Sequence, residues 1–261
     1  MTKISEHIER INSSNRKVLS IYLTAGFPKK ETFVDLALAV LDSGADMLEI
    51  GVPFSDPLAD GPVIQYSSHV ALENSTTMTD VLHYCEKIKS KTEKPLLLMG
   101  YANPILKYGI KNFCKDAVAS GIVGLIAPDV PLDEYESFYS DDFNCFDKIL
   151  LTTPTSPDER IKQIDKKSEG FVYCVSVKGT TGARSHFDES VYKNLQRTYT
   201  LTEKNKMLIG FGISSPESVK KFSPFCDGVI IGSAVIKKID ETKNISEVGK
   251  FVNSLSEACN M

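Results

Sequence analysis

Short, wholly apolar runs alternate with segments whose apolar residues recur every three or four positions, and this alternation continues along the whole chain. Residues 2–13 carry Ile4, Ile8 and Ile11 among polar neighbours, which predicts a leading helix. Beyond it, eight runs read as strands: 18–24, 47–50, 95–99, 123–127, 148–151, 171–175, 207–211 and 228–231. They are apolar throughout rather than alternating, as strands are when both faces of a parallel sheet are covered. Helical patterns fill the gaps: 32–41 ending at Ser43-Gly44, one opening at Pro62, then 79–89, 111–119, 133–139, 157–166 with Ser156 as N-cap, 188–197, one ending at Phe222, a short one after Ser233, and 245–258. Eight strand-then-helix units over this length predict a single (β/α)8 TIM barrel spanning 1–261 as one domain. The extra N-terminal helix is placed to plug its lower end. A doubly wound open sheet is the structural alternative. The chain shows no linker, low-complexity segment or domain boundary.

Composition narrows the function classes. The net charge of −4 is spread out, with no basic stripe for nucleic acid and no acidic tail. The four histidines are far apart, so no metal site is expected. The six cysteines include no Cys-x-x-Cys pair, and most sit in apolar segments, so they read as reduced core thiols of a cytoplasmic protein. The N-terminus has no apolar signal core, and no run approaches the roughly 20 apolar residues of a membrane span.

Candidate chemistry concentrates after the second strand. Glu49 lies inside that apolar run, and Asp60 ends a loop held by Pro53, Pro57, Gly61 and Pro62. A carboxylate in an apolar strand is costly without a partner or a task. Two acids in unlike surroundings are what acid–base chemistry near neutrality requires. The structural alternative has Glu49 facing outward and Asp60 merely capping a helix. In a barrel the site lies where strands end. Tyr22 and Thr24 end the first strand, Tyr101 and Asn103 follow the third, Asp129 follows the fourth, and Tyr173 lies near the end of the sixth. Asn103 before Pro104 also reads as turn chemistry, and Asp129 between prolines as a loop brace. The loops after the seventh and eighth strands, Gly210-Phe-Gly-Ile-Ser-Ser215 and Gly232-Ser-Ala234, have the glycines and the Ser233 hydroxyl of a phosphate site. Gly179 and Gly182 can add backbone N–H groups. The polar, glycine-rich segment 176–186 has the makings of a lid, with Thr181 able to reach a catalytic carboxylate on closure.

These motifs, with Tyr101-Ala-Asn-Pro, Pro128-Asp-Val-Pro and Gly179-Thr-Thr-Gly-Ala-Arg, closely resemble those of the tryptophan synthase α subunit family from about Ile4 to the C-terminus. The resemblance implies a (β/α)8 barrel that cleaves indole-3-glycerol phosphate into indole and glyceraldehyde 3-phosphate in a retro-aldol reaction without metal or organic cofactor. It implies Glu49 as the acid–base and Asp60 as the indole-nitrogen acceptor. Thr181 becomes the lid threonine, Gly182, Gly212, Gly232 and Ser233 the phosphate positions, and Tyr22, Tyr101 and Tyr173 substrate contacts. It further implies a pyridoxal-phosphate β subunit as partner, in an α2β2 assembly, facing Pro53, Asp56, Pro57 and the stretch 101–107. Tyr22 stands where many members carry Phe, Thr180 replaces the usual Val, and Val177 stands where some carry Arg. Three alternatives remain open: a stand-alone lyase, a degenerate subunit that only activates a partner, and another phosphate-binding barrel. The strand ends offer no lysine for a Schiff-base aldolase.

Overall fold

A computed structural model describes residues 2–176, 188–210 and 212–260. In chain order the elements are α1 (Lys3–Asn12), β1 (Val18–Thr24), α2 (Phe33–Asp42), β2 (Met47–Gly51), α3 (Pro62–Glu73), α4 (Met78–Lys89), β3 (Leu96–Met99), α5 (Ala102–Tyr108), α6 (Ile110–Ala119), β4 (Ile122–Ile126), α7 (Tyr135–Phe138), β5 (Asp147–Ile149), β6 (Leu151–Thr152), α8 (Asp158–Lys167), β7 (Phe171–Val175), α9 (Glu189–Leu201), β8 (Lys206–Gly210), α10 (Pro216–Phe222), β9 (Gly228–Ile231), α11 (Ser233–Thr242) and α12 (Ile245–Ala258). All strand pairs are parallel, in the order β5-β4-β3-β2-β1-β9-β8-β7-β6.

Among the described residues nine strands replace the expected eight, because the fifth is split at Leu150. There the backbone N–H of Leu150 donates to the Ser168 hydroxyl at 3.2 Å rather than to a strand carbonyl. Its carbonyl still accepts from the Tyr173 N–H at 3.0 Å. The two ends of the strand order are therefore one stave, and the sheet returns on itself as a TIM barrel.

Burial follows the pattern read from the sequence. β1, β2, β3, β7 and β9 are buried at every position, because helices cover one face and the barrel interior the other. Helix α1, capped by Thr2, lies at the end where strands begin. Ile4 and Ile8 are fully buried, His7 Nε2 is 3.0 Å from the Asp46 carbonyl, and Asn12 donates to the Asp227 carbonyl at 2.9 Å. This is the plug at the lower end that the sequence predicted. Among the described residues, no helix is long and apolar enough to cross a membrane.

Three local expectations are corrected. Residues 102–108 form helix α5 instead of a turn, and the Asp129 carboxylate accepts from the Ala102 N–H at 3.0 and 3.1 Å, so it braces that helix. Asn103 is exposed in this first turn. Pro157, not Ser156, occupies the N-cap of α8, and the Ser156 hydroxyl accepts from the Thr153 N–H at 3.0 Å. The helix after Ser233 runs ten residues.

Candidate active site

Tyr22 of β1 stands in register with Glu49 of β2, and Glu49 in turn with Leu97 of β3. Side chains two apart on a strand share a face, so Ser20 and Tyr22 accompany Glu49 and Gly51 toward the barrel axis. The contacts agree. The Ser20 hydroxyl donates to Glu49 Oε1 at 2.8 Å, and a Cβ on Gly51 would lie 2.0 Å from Tyr22 Oη. Gly51 is thus the space in which the Tyr22 phenol sits. Gly210 serves Tyr173 in the same way, since a Cβ there would meet Tyr173 Oη at 2.3 Å.

Glu49 is completely buried. Its Oε2 has no hydrogen-bond partner among the described residues. Burial pushes the carboxyl up to about 8, against the opposing pull of the Ser20 hydroxyl. Asp60 closes the loop after β2. Its carbonyl accepts from Gln65 Nε2 at 2.8 Å, and its Oδ2 accepts from Tyr101 Oη at 2.9 Å. The same phenol oxygen accepts the Ala59 N–H at 3.0 Å, so Tyr101 clamps both the loop and its carboxylate. Burial raises Asp60 to about 6, with the Tyr101 bond working the other way. The two acids are therefore separated in acidity, with Glu49 holding its proton to higher pH.

A cavity at the barrel mouth is lined by Tyr22, Asp60, Ile64, Met99, Tyr173, Ile230, Gly232 and Ser233. Four of the sequence candidates other than the loop acid therefore face one space: Tyr22, Tyr173, Gly232 and Ser233. Glu49 is not part of that wall. It lies within electrostatic reach of Tyr22 and Tyr173, whose phenols burial pushes well above their ordinary range. Gly232 is the N-cap and Ser233 the first residue of α11, whose leading N–H groups have no acceptor within the helix. A ten-residue helix opening on a cavity in this way suits an anion. Gly212 holds φ +79°, a left-handed backbone that glycine adopts without strain. It leads into the Ser215-capped helix α10.

Thr181 and Gly182, with Val177, Gly179 and Thr180, lie outside the described residues. Ser20, Ile64, Met99 and Ile230 are not among the candidates read from the sequence. Ser20 carried a readable signal, a small polar side chain between apolar neighbours and two positions from Tyr22. The three apolar residues carried none. Among the described residues, no three His, Cys, Asp or Glu side chains cluster as metal ligands.

Comparison with known proteins agrees over nearly the full length. The model of one protein family, Tryptophan synthase alpha chain, matches residues 8–260. The tryptophan synthase alpha chain of Flavobacterium psychrophilum is 41% identical over 257 residues, covering 98% of this chain and 100% of the relative. That of Christiangramia forsetii is 43% identical over 257 residues, with 98% of each chain covered. Among solved structures, one from Aquifex aeolicus superposes with a TM-score of 0.91 at 36% identity, covering 100% of both chains. Mycobacterium tuberculosis tryptophan synthase gives 0.91 at 30% identity, covering 100% of this chain and 99% of that one.

Proposed function

The chain belongs to the tryptophan synthase alpha chain family, and from that premise we propose which residues carry its chemistry. It is a carbon–carbon lyase of tryptophan biosynthesis that cleaves indole-3-glycerol phosphate to indole and glyceraldehyde 3-phosphate. Glu49 is the acid–base catalyst and Asp60 the acceptor for the indole N–H. What supports this assignment is the placement of two buried carboxyls: Asp60 on the cavity wall, and Glu49, with Oε2 unpartnered among the described residues, within electrostatic reach of the wall tyrosines Tyr22 and Tyr173, each acid raised by burial.

The steps follow from those protonation states. Near neutrality Glu49 holds a proton and delivers it to C3 of the indole ring. The ring becomes an iminium-like electron sink, and the Asp60 carboxylate stabilises the positive charge that develops at its nitrogen. Glu49, now a carboxylate, removes the proton of the hydroxyl on the adjoining side-chain carbon. That carbon becomes the aldehyde, the C3–C bond breaks, and its electron pair restores the aromatic ring. Glu49 ends protonated, as it began, so the cycle closes on one side chain without metal or organic cofactor. Tyr22, Ile64, Met99 and Tyr173 form the wall for the ring. Gly232 and Ser233 at the start of α11 receive the phosphate, with Gly212, Gly182 and the lid residue Thr181 as the other family positions.

A β subunit that uses pyridoxal phosphate receives the indole, in an α2β2 assembly. The surface proposed for it is the mouth side, where Leu58 in the loop of Pro53, Asp56 and Pro57 is 87% exposed and Leu106 of α5 is 51% exposed. Large apolar side chains displayed so fully suit a covering partner. Five buried thiols and an exposed Cys145, all free, suit a reducing cytoplasm. The test is to mix the purified chain with indole-3-glycerol phosphate, with and without a β subunit, and to follow indole. Glu49→Gln should abolish cleavage while substrate still binds, and near-normal turnover by that variant defeats the assignment.

A further inference from the structure

We infer that Ser20 is a positioning residue for Glu49: its hydroxyl fixes one carboxyl oxygen and leaves the other as the oxygen that gives and takes the proton. The inference rests on the catalytic role proposed for Glu49 and deepens it.

Three observations converge. Ser20 is fully buried in β1, a strand whose every other inward or outward neighbour of similar depth is apolar except Tyr22 and Thr24. Its in-register neighbours across the sheet are Met47 and Ile230, neither of which offers a strong acceptor. A buried hydroxyl must find a partner, and the one it has is Glu49 Oε1 at 2.8 Å. The remaining oxygen, Oε2, is buried with no partner among the described residues. A carboxyl held at one oxygen and bare at the other has its proton-transfer atom defined, and its rotation is restricted by a neighbouring strand rather than by a loop. Ser20 is fully buried and its hydroxyl is committed to Glu49 Oε1, so it acts through Glu49.

The hydroxyl also favours the ionised form, because it donates to the carboxylate. Among the described residues, the titratable groups within electrostatic reach of Glu49 are Tyr22 on β1 and Tyr173 on β7, and Asp60 on the loop after β2 acts on the same two phenols. The flanking in-register residue of β3, Leu97, does not titrate. Both tyrosines stay neutral near pH 7 and Asp60 is common to wild type and variant, so a change at Ser20 reads out on Glu49.

The experiment uses the full chain saturated with a β subunit and compares Ser20→Ala, Ser20→Thr and Glu49→Gln with wild type over pH 5 to 10. Ser20→Ala should lower kcat roughly ten-fold to a hundred-fold, the scale of a lost hydrogen bond to a charged group. KM should stay within about two-fold, since the cavity wall is intact. The alkaline limb of kcat/KM should move up by about one pH unit, because the carboxyl loses a donor that stabilises its anion. Ser20→Thr keeps a hydroxyl and should recover most of the rate and the original limb. Thermal melting identifies a variant that fails to fold, in which case the Thr variant alone decides: a shifted limb despite its hydroxyl overturns the inference. An Ala variant with wild-type kcat and limb also overturns it. If Glu49→Gln is inactive while Ser20→Ala is normal, only the role of Ser20 falls. If Glu49→Gln turns over normally, the proposed role of Glu49 falls first.

Discussion

The separation between the two buried acids predicts the pH dependence of the reaction. The productive form has Glu49 protonated, to protonate the ring, and Asp60 ionised, to accept the indole N–H. With Glu49 at about 8 and Asp60 at about 6, each group is about nine-tenths in its required state at pH 7, and about 80% of the enzyme has both. At pH 5 only about 9% has Asp60 ionised, and at pH 9 only about 9% has Glu49 protonated, so kcat/KM should fall roughly nine-fold on either side. A bell alone does not say which group makes which limb, and the phosphate of the substrate also titrates near 6. Asp60→Asn resolves this, because an amide does not titrate. The variant should lose roughly 10²- to 10⁴-fold in rate, the contribution of a positioned proton-transfer group. In the residual activity the acid limb should disappear while the alkaline limb near 8 remains. The assay is indole release at constant ionic strength across pH 5 to 9, with the β subunit present and saturating. An acid limb near 6 that survives in Asp60→Asn belongs to the substrate phosphate, and a rate loss under ten-fold removes Asp60 from the chemistry; either result refutes the reasoning.

Further outcomes follow from single contacts. Glu49 in the folded chain titrates at about 8 against 4.5 ordinarily, so between these values the folded state holds a proton that the unfolded state has lost, and stability falls as pH rises through that window. Glu49→Gln stays neutral and should therefore gain on wild type by up to about 5 kcal/mol by pH 9, at about 1.4 kcal/mol per unit, with no such gain below pH 4.5; denaturant melts at pH 5 and pH 9 check it, and parallel curves for the two proteins count against it. Tyr101→Phe removes the donor to Asp60 Oδ2 and the acceptor of the Ala59 N–H, so Asp60 should titrate about one unit higher and the acid limb should move with it. An unmoved limb in that variant would mean the phenol does not tune the acid. Gly210→Ala places a Cβ 2.3 Å from Tyr173 Oη and 2.5 Å from two ring carbons, and a rigid ring cannot fold aside. The expected cost is about 1 to 3 kcal/mol in a thermal melt, together with a raised KM as Tyr173 moves into the cavity, and an unchanged melt and KM would contradict the packing.

Much of this was legible in the sequence, and the limits have physical causes. Uninterrupted apolar runs such as 171–175 identified barrel strands because burial on both faces leaves no alternation to read. Loop glycines and Pro62 bounded the elements, since their backbone preferences act locally. Glu49 and Asp60 stood out because charge in apolar surroundings is expensive. Helix α5 escaped because Asn103 precedes Pro104, a pairing that disfavours helix, and what holds its first turn is the carboxylate of Asp129, 27 positions away. The break at Leu150 escaped for the same reason, since Ser168, which takes its N–H, is 18 positions away. The partners of the two acids, Ser20 and Tyr101, were set by strand register and loop path, which no single-strand pattern encodes.

The acidity difference between Glu49 and Asp60 is itself a consequence of where the fold leaves each group. Both carboxyls accept one phenol or alcohol hydroxyl, at 2.8 and 2.9 Å, so the donors nearly cancel in the comparison. Part of the gap is intrinsic, since the ordinary values are 4.5 for Glu49 and 3.8 for Asp60; the rest comes from depth. Glu49 is fixed by strand register inside the closed sheet and is fully buried, whereas Asp60 sits on a loop at the rim of the cavity and keeps 6% of its surface in solvent. Desolvation is the leading cause of both upward shifts, so the deeper acid is the weaker one. The division of labour between proton donor and anion therefore needs no charged neighbour. It follows from placing one acid in a stave and the other in the loop that the stave leads into.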